Sequence, residues 1–204
     1  MYETSRSRIP RTPVDASDRG AARRALRERR DAIAAGERNG ADRAIRERLR
    51  QAVRELRPAA LAAYWPMRGE PDVIELLSAW HEEGIVVALP RVVAPDAPLR
   101  FECWRPGLRL VSGVFGTSEP PAGERPVSPD LLVMPCLGFD AHCYRLGYGG
   151  GFYDRTLAAL PGARAIGVAY DECEMRAFAA QPHDRPLDAV VTQARLLRRN
   201  SREA

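Results

Sequence analysis

Apolar residues recur along this chain with two periods, and the alternation between them predicts the fold. Over residues 18–37, Ala22, Leu26, Arg29 and Ile33 share one face at helical spacing, with Gly36 as the expected terminator. A second helix is expected over 40–57, where Ala41, Ile45, Leu49, Ala52, Val53 and Leu56 keep that period until Pro58 stops it. The apolar runs at 61–64, 85–89, 131–134, 163–170 and 189–192 read as buried strands; the clearest, 85–89, is continuously apolar between Gly and Pro. The stretch 99–104 alternates, which suits a strand with one wetter face near a sheet edge. Between these runs, helices are expected at 73–83, capped by Asp72 and closed by Gly84, and at about 154–160. Strands alternating with helices imply an α/β fold with a largely parallel sheet, helices on both sides and an N-terminal helical pair.

The punctuation between elements sets the domain boundaries. Residues 1–17 are polar and broken by prolines and are expected to form a disordered tail. Residues 18–195 form one expected domain, followed by a polar tail at 196–204. The Pro-, Gly- and Ser-rich stretch 105–129 reads as a long loop, a length that in a compact domain often marks function.

Composition narrows the class. With 45% hydrophobic and 28% charged residues among 204, the chain has the make-up of a soluble globular domain. No apolar run approaches the roughly 20 residues that cross a bilayer, and no apolar segment follows the charged N-terminus, so a cytoplasmic location without membrane contact is the expectation. The cysteines, Cys103, Cys136, Cys143 and Cys173, form no C-x-x-C pair and the three histidines are scattered, which points to free thiols rather than zinc or redox chemistry. All 31 basic residues are arginine, so lysine Schiff-base chemistry is excluded. Residues 1–57 hold 16 arginines against 9 acids and the remainder 15 against 18, a basic section attached to a mildly acidic body. That asymmetry fits a solvated helical surface, nucleotide phosphate binding or nucleic-acid binding. Nucleic acid ranks low, because these arginines lack interleaved aromatics and several are offset by nearby acids.

The chemistry concentrates at 145–154, Arg-Leu-Gly-Tyr-Gly-Gly-Gly-Phe-Tyr-Asp. Four glycines let several N–H groups turn toward one anion, and the helix expected near Asp154 adds its positive end. Asp154 as a mere helix cap is the competing account. Arg145, Tyr148, Phe152 and Tyr153 favour a ligand, since two or three rings and a guanidinium are costly to order with nothing to contact. The spacing is neither G-x-G-x-x-G nor, without lysine, a Walker A loop. Arg23 and Arg27 lie four apart on the first helix and repel each other, which an anion relieves. Trp65 and Glu70 follow a strand end, where α/β proteins place ligands.

These residues resemble the 5-formyltetrahydrofolate cyclo-ligase family, also called methenyltetrahydrofolate synthetase. The stretch 145–154 is nearly that family's signature. The matches continue with Ala-Arg-Arg-Ala-Leu-Arg at 22–27, Tyr64-Trp-Pro with Glu70 and Asp72, Leu89-Pro-Arg91, Gly-Thr-Ser-Glu-Pro at 116–120, and His183-Asp184 with Asp188, in family order over about 20–192. The resemblance implies a three-layer αβα sandwich and conversion of 5-formyltetrahydrofolate to 5,10-methenyltetrahydrofolate with ATP and Mg²⁺, by phosphorylation of the formyl oxygen and ring closure by N10. It implies that Arg23, Arg24, Arg27, Arg145, Gly147, Gly149, Gly150, Gly151 and Tyr153 bind ATP, with Arg145, Tyr153 and Asp154 catalytic. Asp154 and Asp184 are then the Mg²⁺ ligands, and Trp65, Glu70, Tyr148 and Phe152 the folate contacts. A monomer is expected. Three positions depart from the family pattern: Arg23 stands where lysine is frequent, Cys143 where glycine is usual, so that an altered turn is expected, and Cys136 replaces a small residue. A family-shaped protein that binds folate or nucleotide without ligase activity is the alternative.

Overall fold

The computed structural model describes residues 18–176 and 180–200; the tail expected at 1–17 lies outside them. In chain order the elements are α1 (Arg19–Asp31), α2 (Ala35–Leu56), β1 (Ala60–Ala62), α3 (Ile74–Glu82), β2 (Val86–Arg91), β3 (Arg100–Cys103), β4 (Val111–Ser112), β5 (Ser118–Glu119), β6 (Leu131–Pro135), β7 (Gly138–Phe139), β8 (Arg145–Leu146), α4 (Phe152–Ala159), β9 (Arg164–Val168), β10 (Ala189–Val191) and β11 (Leu196–Arg198). Seven strands make one sheet in the order β11-β10-β9-β6-β1-β2-β3. The five inner strands run parallel, while β3 and β11 close the two edges antiparallel.

The two faces of the sheet separate with the period-two alternation of its strands. Leu61, Val87, Leu89, Leu131, Val133, Ile166, Val168 and Val191 point to the side covered by α1, α2 and α3, whose Leu26, Leu49, Leu77 and Trp80 complete that core. Ala62, Ala88, Leu132, Met134, Ala165 and Val190 point the other way, toward α4 and the segment following β6. The sandwich is therefore three-layered, with three helices on one face and α4 on the other.

Three boundaries differ from the periodicity. Gly36 does not end the first helix: α1 stops at Asp31 and α2 starts at Ala35. Arg38 of α2 bridges the break, donating at 2.7 Å to the carbonyl of Arg30, which also accepts from the backbone N–H of Ile33. The buried stripe of α1 is Ala22, Leu26 and Arg30, with Arg29 at its margin. At the other end, 196–198 are not a polar tail but the edge strand β11, hydrogen-bonded to β10. The loop expected over 105–129 contains the two-residue strands β4 and β5, paired as a hairpin.

Candidate active site

The sheet changes direction between β1 and β6. From β1 the chain goes through α3 to β2 on one side; from β6 it goes through β7, β8 and α4 to β9 on the other. Connections leaving adjacent strand ends in opposite directions open a crevice there. A cavity of about 480 Å³ fills it.

The glycine stretch forms one wall. Gly149 (φ +102°) and Gly151 (φ +66°) take left-handed backbone that side chains resist, and a Cβ on Gly149 would sit 3.2 Å from the guanidinium carbon of Arg23. Arg23 reaches this wall from α1 and donates through Nε to the Gly147 carbonyl at 2.9 Å. α4 starts at Phe152, with Gly151 as a cap that offers no side chain, so no side-chain cap covers the N–H groups of its first turn. Asp154 is not the cap. It lies in that first turn and accepts from Nη2 of Arg145 at 2.9 Å. The Arg145 side chain is 4% exposed, its guanidinium stands 5.4 Å from the Tyr153 ring centroid, and its buried Nε has no hydrogen-bond partner among the described residues. Cys143, two residues before Arg145, keeps the left-handed turn (φ +63°) that a glycine would take freely, a strain of about 1 kcal/mol.

Asp184 lines the same side of the cavity and receives both terminal nitrogens of Arg19, at 3.1 and 2.5 Å. Burial works to raise its proton affinity, but the Arg19 hydrogen bond, the Gln181 N–H and the positive charges around it prevail and hold the carboxyl below its ordinary range. Burial, together with the charges of Arg19 and Arg27, lowers the proton affinity of the Arg23 guanidinium, and Asp184 opposes them. Positive charge is crowded at this end. Among the described residues no group of three or more His, Cys, Asp or Glu side chains is arranged around a point where a metal could sit.

The opposite end is drier. Glu70 is 5% exposed; its Oε2 accepts from the Met67 N–H at 2.9 Å and its Oε1 from the Tyr148 hydroxyl at 2.8 Å. Burial pushes the Glu70 carboxyl up to about 7, against those two donors and the charges of Arg30 and Arg68. Trp65 lines the cavity from the loop after β1, half-buried against the core. Phe152 lies at the mouth, tilted against Phe115 with ring centroids 5.9 Å apart.

Most residues singled out in the sequence thus meet in one cavity: Arg23, Trp65 and Glu70, the loop from Arg145 through Asp154, and Asp184. Arg24 and Arg27 do not line it; both are exposed on α1, and Arg27 donates back to the Arg23 carbonyl at 3.2 Å. The sequence reading missed Arg19, Arg30, Arg68 and Glu119. Glu119, 4% exposed on β5, faces the cavity beside Thr117, whose hydroxyl is 2.7 Å away. Its stretch was noticed only as a family match. Arg30 could have been found from the i, i+4 stripe it shares with Ala22 and Leu26.

A mostly parallel sheet opening into one cavity, with a glycine loop and arginines at one end and a buried carboxylate among aromatic rings at the other, defines an α/β protein with a small-molecule site. The comparisons make that class specific. The sequence model described as the 5-formyltetrahydrofolate cyclo-ligase family matches residues 15–193, and the chain belongs to that enzyme family. It is 39% identical over 145 residues to the 5-formyltetrahydrofolate cyclo-ligase of Mycolicibacterium smegmatis, covering 66% of this chain and 74% of that one. It is 33% identical over 144 residues to the Escherichia coli K12 enzyme of the same name, covering 67% and 79%. Among solved structures, the Aquifex aeolicus 5,10-methenyltetrahydrofolate synthetase superposes with a TM-score of 0.78 at 25% identity, covering 91% of this chain and 95% of that one.

Proposed function

We propose that this protein converts 5-formyltetrahydrofolate to 5,10-methenyltetrahydrofolate, using ATP and releasing ADP and phosphate. The observation that carries the proposal is a single cavity lined by Arg23, hydrogen-bonded to the glycine loop, and by Glu70, which supports reading the one end as a phosphate site and the other as a pterin site.

The formyl oxygen leaves badly from an amide-like carbon, and phosphorylation makes it a good leaving group. N10 then attacks the formyl carbon and loses its proton, and the C–O bond breaks with release of phosphate. Little covalent work falls to the protein beyond positioning and charge neutralisation. The loop N–H groups at Gly149, Gly150 and Gly151, with Arg23, hold the phosphates, and Arg145 neutralises the transferring group beside Tyr153. Arg24 and Arg27 add charge from outside the cavity rather than contacts within it. Glu70 accepts adjacent N–H donors of the pterin, and Trp65, Tyr148 and Phe152 supply flat surface.

Asp154 and Asp184 are the residues that would hold Mg²⁺. Two carboxylates on the phosphate side of one cavity suit a hard cation that completes its shell with phosphate oxygens. Held by these carboxylates, the cation would supply positive charge to the transferring phosphoryl group. Each aspartate is now paired with an arginine, so phosphate that draws Arg19 or Arg145 toward itself frees the carboxylate. Incubation with 5-formyltetrahydrofolate, ATP and Mg²⁺ is expected to generate the absorbance of methenyltetrahydrofolate; none from folded protein would refute the assignment.

A further inference from the structure

Arg30 is 2% exposed on the stripe of α1 that otherwise packs Ala22 and Leu26 into the core. Core packing has no use for a guanidinium there, and burying one without a partner is unfavourable by several kcal/mol. Its buried Nε has no hydrogen-bond partner among the described residues. Its side chain turns to Tyr148: Nη1 donates to the hydroxyl at 2.8 Å, and the guanidinium lies 5.7 Å from the ring centroid.

That hydrogen bond fixes protons further along. A guanidinium only donates, so the Tyr148 oxygen must accept from Arg30 and its own O–H is left to donate. Burial raises the Tyr148 phenol well above its ordinary range, so it stays a neutral donor. Its acceptor is Oε1 of Glu70 at 2.8 Å, while the Met67 N–H occupies Oε2. Each Glu70 oxygen therefore has one lone pair taken by the protein and its other lone pair available to the cavity that the residue lines.

We propose that Arg30 is a positioning residue for the folate site: acting through Tyr148, it holds the Glu70 carboxylate in one orientation and keeps it an acceptor for the N–H donors of the substrate. The proposal rests on the reading of Glu70 as the substrate-binding carboxylate. It also gives α1 two tasks, since the helix that carries Arg23 to the glycine loop sets the far end of the cavity with Arg30, two turns later.

The groups facing Glu70 show why Arg30 has leverage. Tyr64 after β1, Cys136 after β6, Tyr153 on α4 and Tyr148 are neutral, all raised mainly by burial. The cations are Arg68, from the loop of Glu70 itself, and Arg30. Without Arg30, Glu70 takes up a proton at higher pH and presents an O–H where the substrate needs an acceptor.

The test compares Arg30→Gln, Arg30→Lys and Tyr148→Phe with wild type, following the Glu70 carboxyl by carbon-13 NMR titration and steady-state kinetics for each substrate. In Arg30→Gln the midpoint of Glu70 is expected to move up by about one pH unit. The KM for 5-formyltetrahydrofolate near neutrality is expected to rise about tenfold, with the KM for ATP within about twofold; the defect shrinks as pH rises above the new midpoint. Arg30→Lys is expected to restore most of the loss, because an ammonium also donates and carries charge. An unmoved midpoint, or a folate defect independent of pH, overturns the proposal. Should Arg30→Gln not fold, Tyr148→Phe removes the relay at nearly constant volume and must show the same pH-dependent folate defect. If wild type forms no methenyl product, the proposed function falls, while the titration still decides whether Arg30 governs Glu70.

Discussion

The two ends of the cavity hold charge in opposite ways. At the glycine-loop end, arginines sit in pairs that an incoming anion can enter: Arg145 with Asp154, Arg19 with Asp184, and Arg23 against a backbone carbonyl. At the other end a single carboxylate is held by burial and by neutral donors, with Arg30 one hydroxyl away. The first end is a set of ion pairs that, on the proposed function, phosphate would rearrange. The second is a fixed acceptor whose protonation near neutrality decides what it recognises.

Asp154→Asn breaks the first end most completely. Asparagine can still accept from Arg145, so the fold is expected to persist with a small change in Tm, but the negative charge proposed for the metal and the counter-charge to Arg145 are gone. Turnover of 5-formyltetrahydrofolate is expected to drop by about 100- to 1000-fold. A near wild-type rate in a folded Asp154→Asn protein would show that the ion pair is only structural. At the second end, Glu70→Gln replaces an acceptor pair with a mixed donor and acceptor. The KM for 5-formyltetrahydrofolate is expected to rise about 100-fold, while ATP affinity stays within about twofold; equal losses for both substrates would mean that the two ends are not separable.

The same substitution separates the ends by stability. Glu70 has an ordinary value of 4.5 and titrates at about 7 in the fold. Between those values the unfolded chain has released a proton that the folded protein still holds, so stability falls as pH rises through this window and is level above it. The loss is on the order of 3 kcal/mol. Glu70→Gln, which has no proton to lose, is expected to melt roughly 6–12 °C above wild type at pH 8 and close to it at pH 4.5. A constant difference across pH would contradict the buried-carboxylate account. In the same range the catalytic efficiency for folate in wild type is expected to fall about tenfold per unit below neutrality.

The sheet was readable because its strands are short runs closed by Gly, Pro or polar residues, so the ends of 85–89 and 131–134 lie within two residues of those of their observed strands. The glycine loop was readable because its composition has few other uses. What escaped depended on long-range partners. α1 stops at Asp31 with Arg38 bridging the break to a carbonyl eight residues away, so Gly36, though a good local terminator, lies inside α2. β11 carries Arg198 and follows a strand with no turn signal of its own, so it passed for a tail; pairing with β10 makes it a strand. At the site, Arg29 was placed on the buried face and Arg30 overlooked, because an arginine in an apolar stripe reads as an interruption until its partner Tyr148, 118 residues on, is known.

The smallest expected effect tests how far the arginine-rich end extends. Arg27 lies one turn from Arg23, is exposed, and donates back to the Arg23 carbonyl, and its charge acts on the Arg23 guanidinium. A charge that acts across solvent is screened over about 8–10 Å at ordinary salt, and exposed pairs contribute at most about 1 kcal/mol. Arg27→Gln is therefore expected to raise the KM for ATP by about two- to threefold at low ionic strength and scarcely at all in 0.5 M salt, with kcat and the folate KM unchanged. Loss of the same size at both salt concentrations would mean that Arg27 swings in to contact the phosphates when nucleotide binds. That outcome would move the boundary of the ATP site outward along α1 from Arg23 and make the first helix, rather than the loop alone, the element that grips the triphosphate.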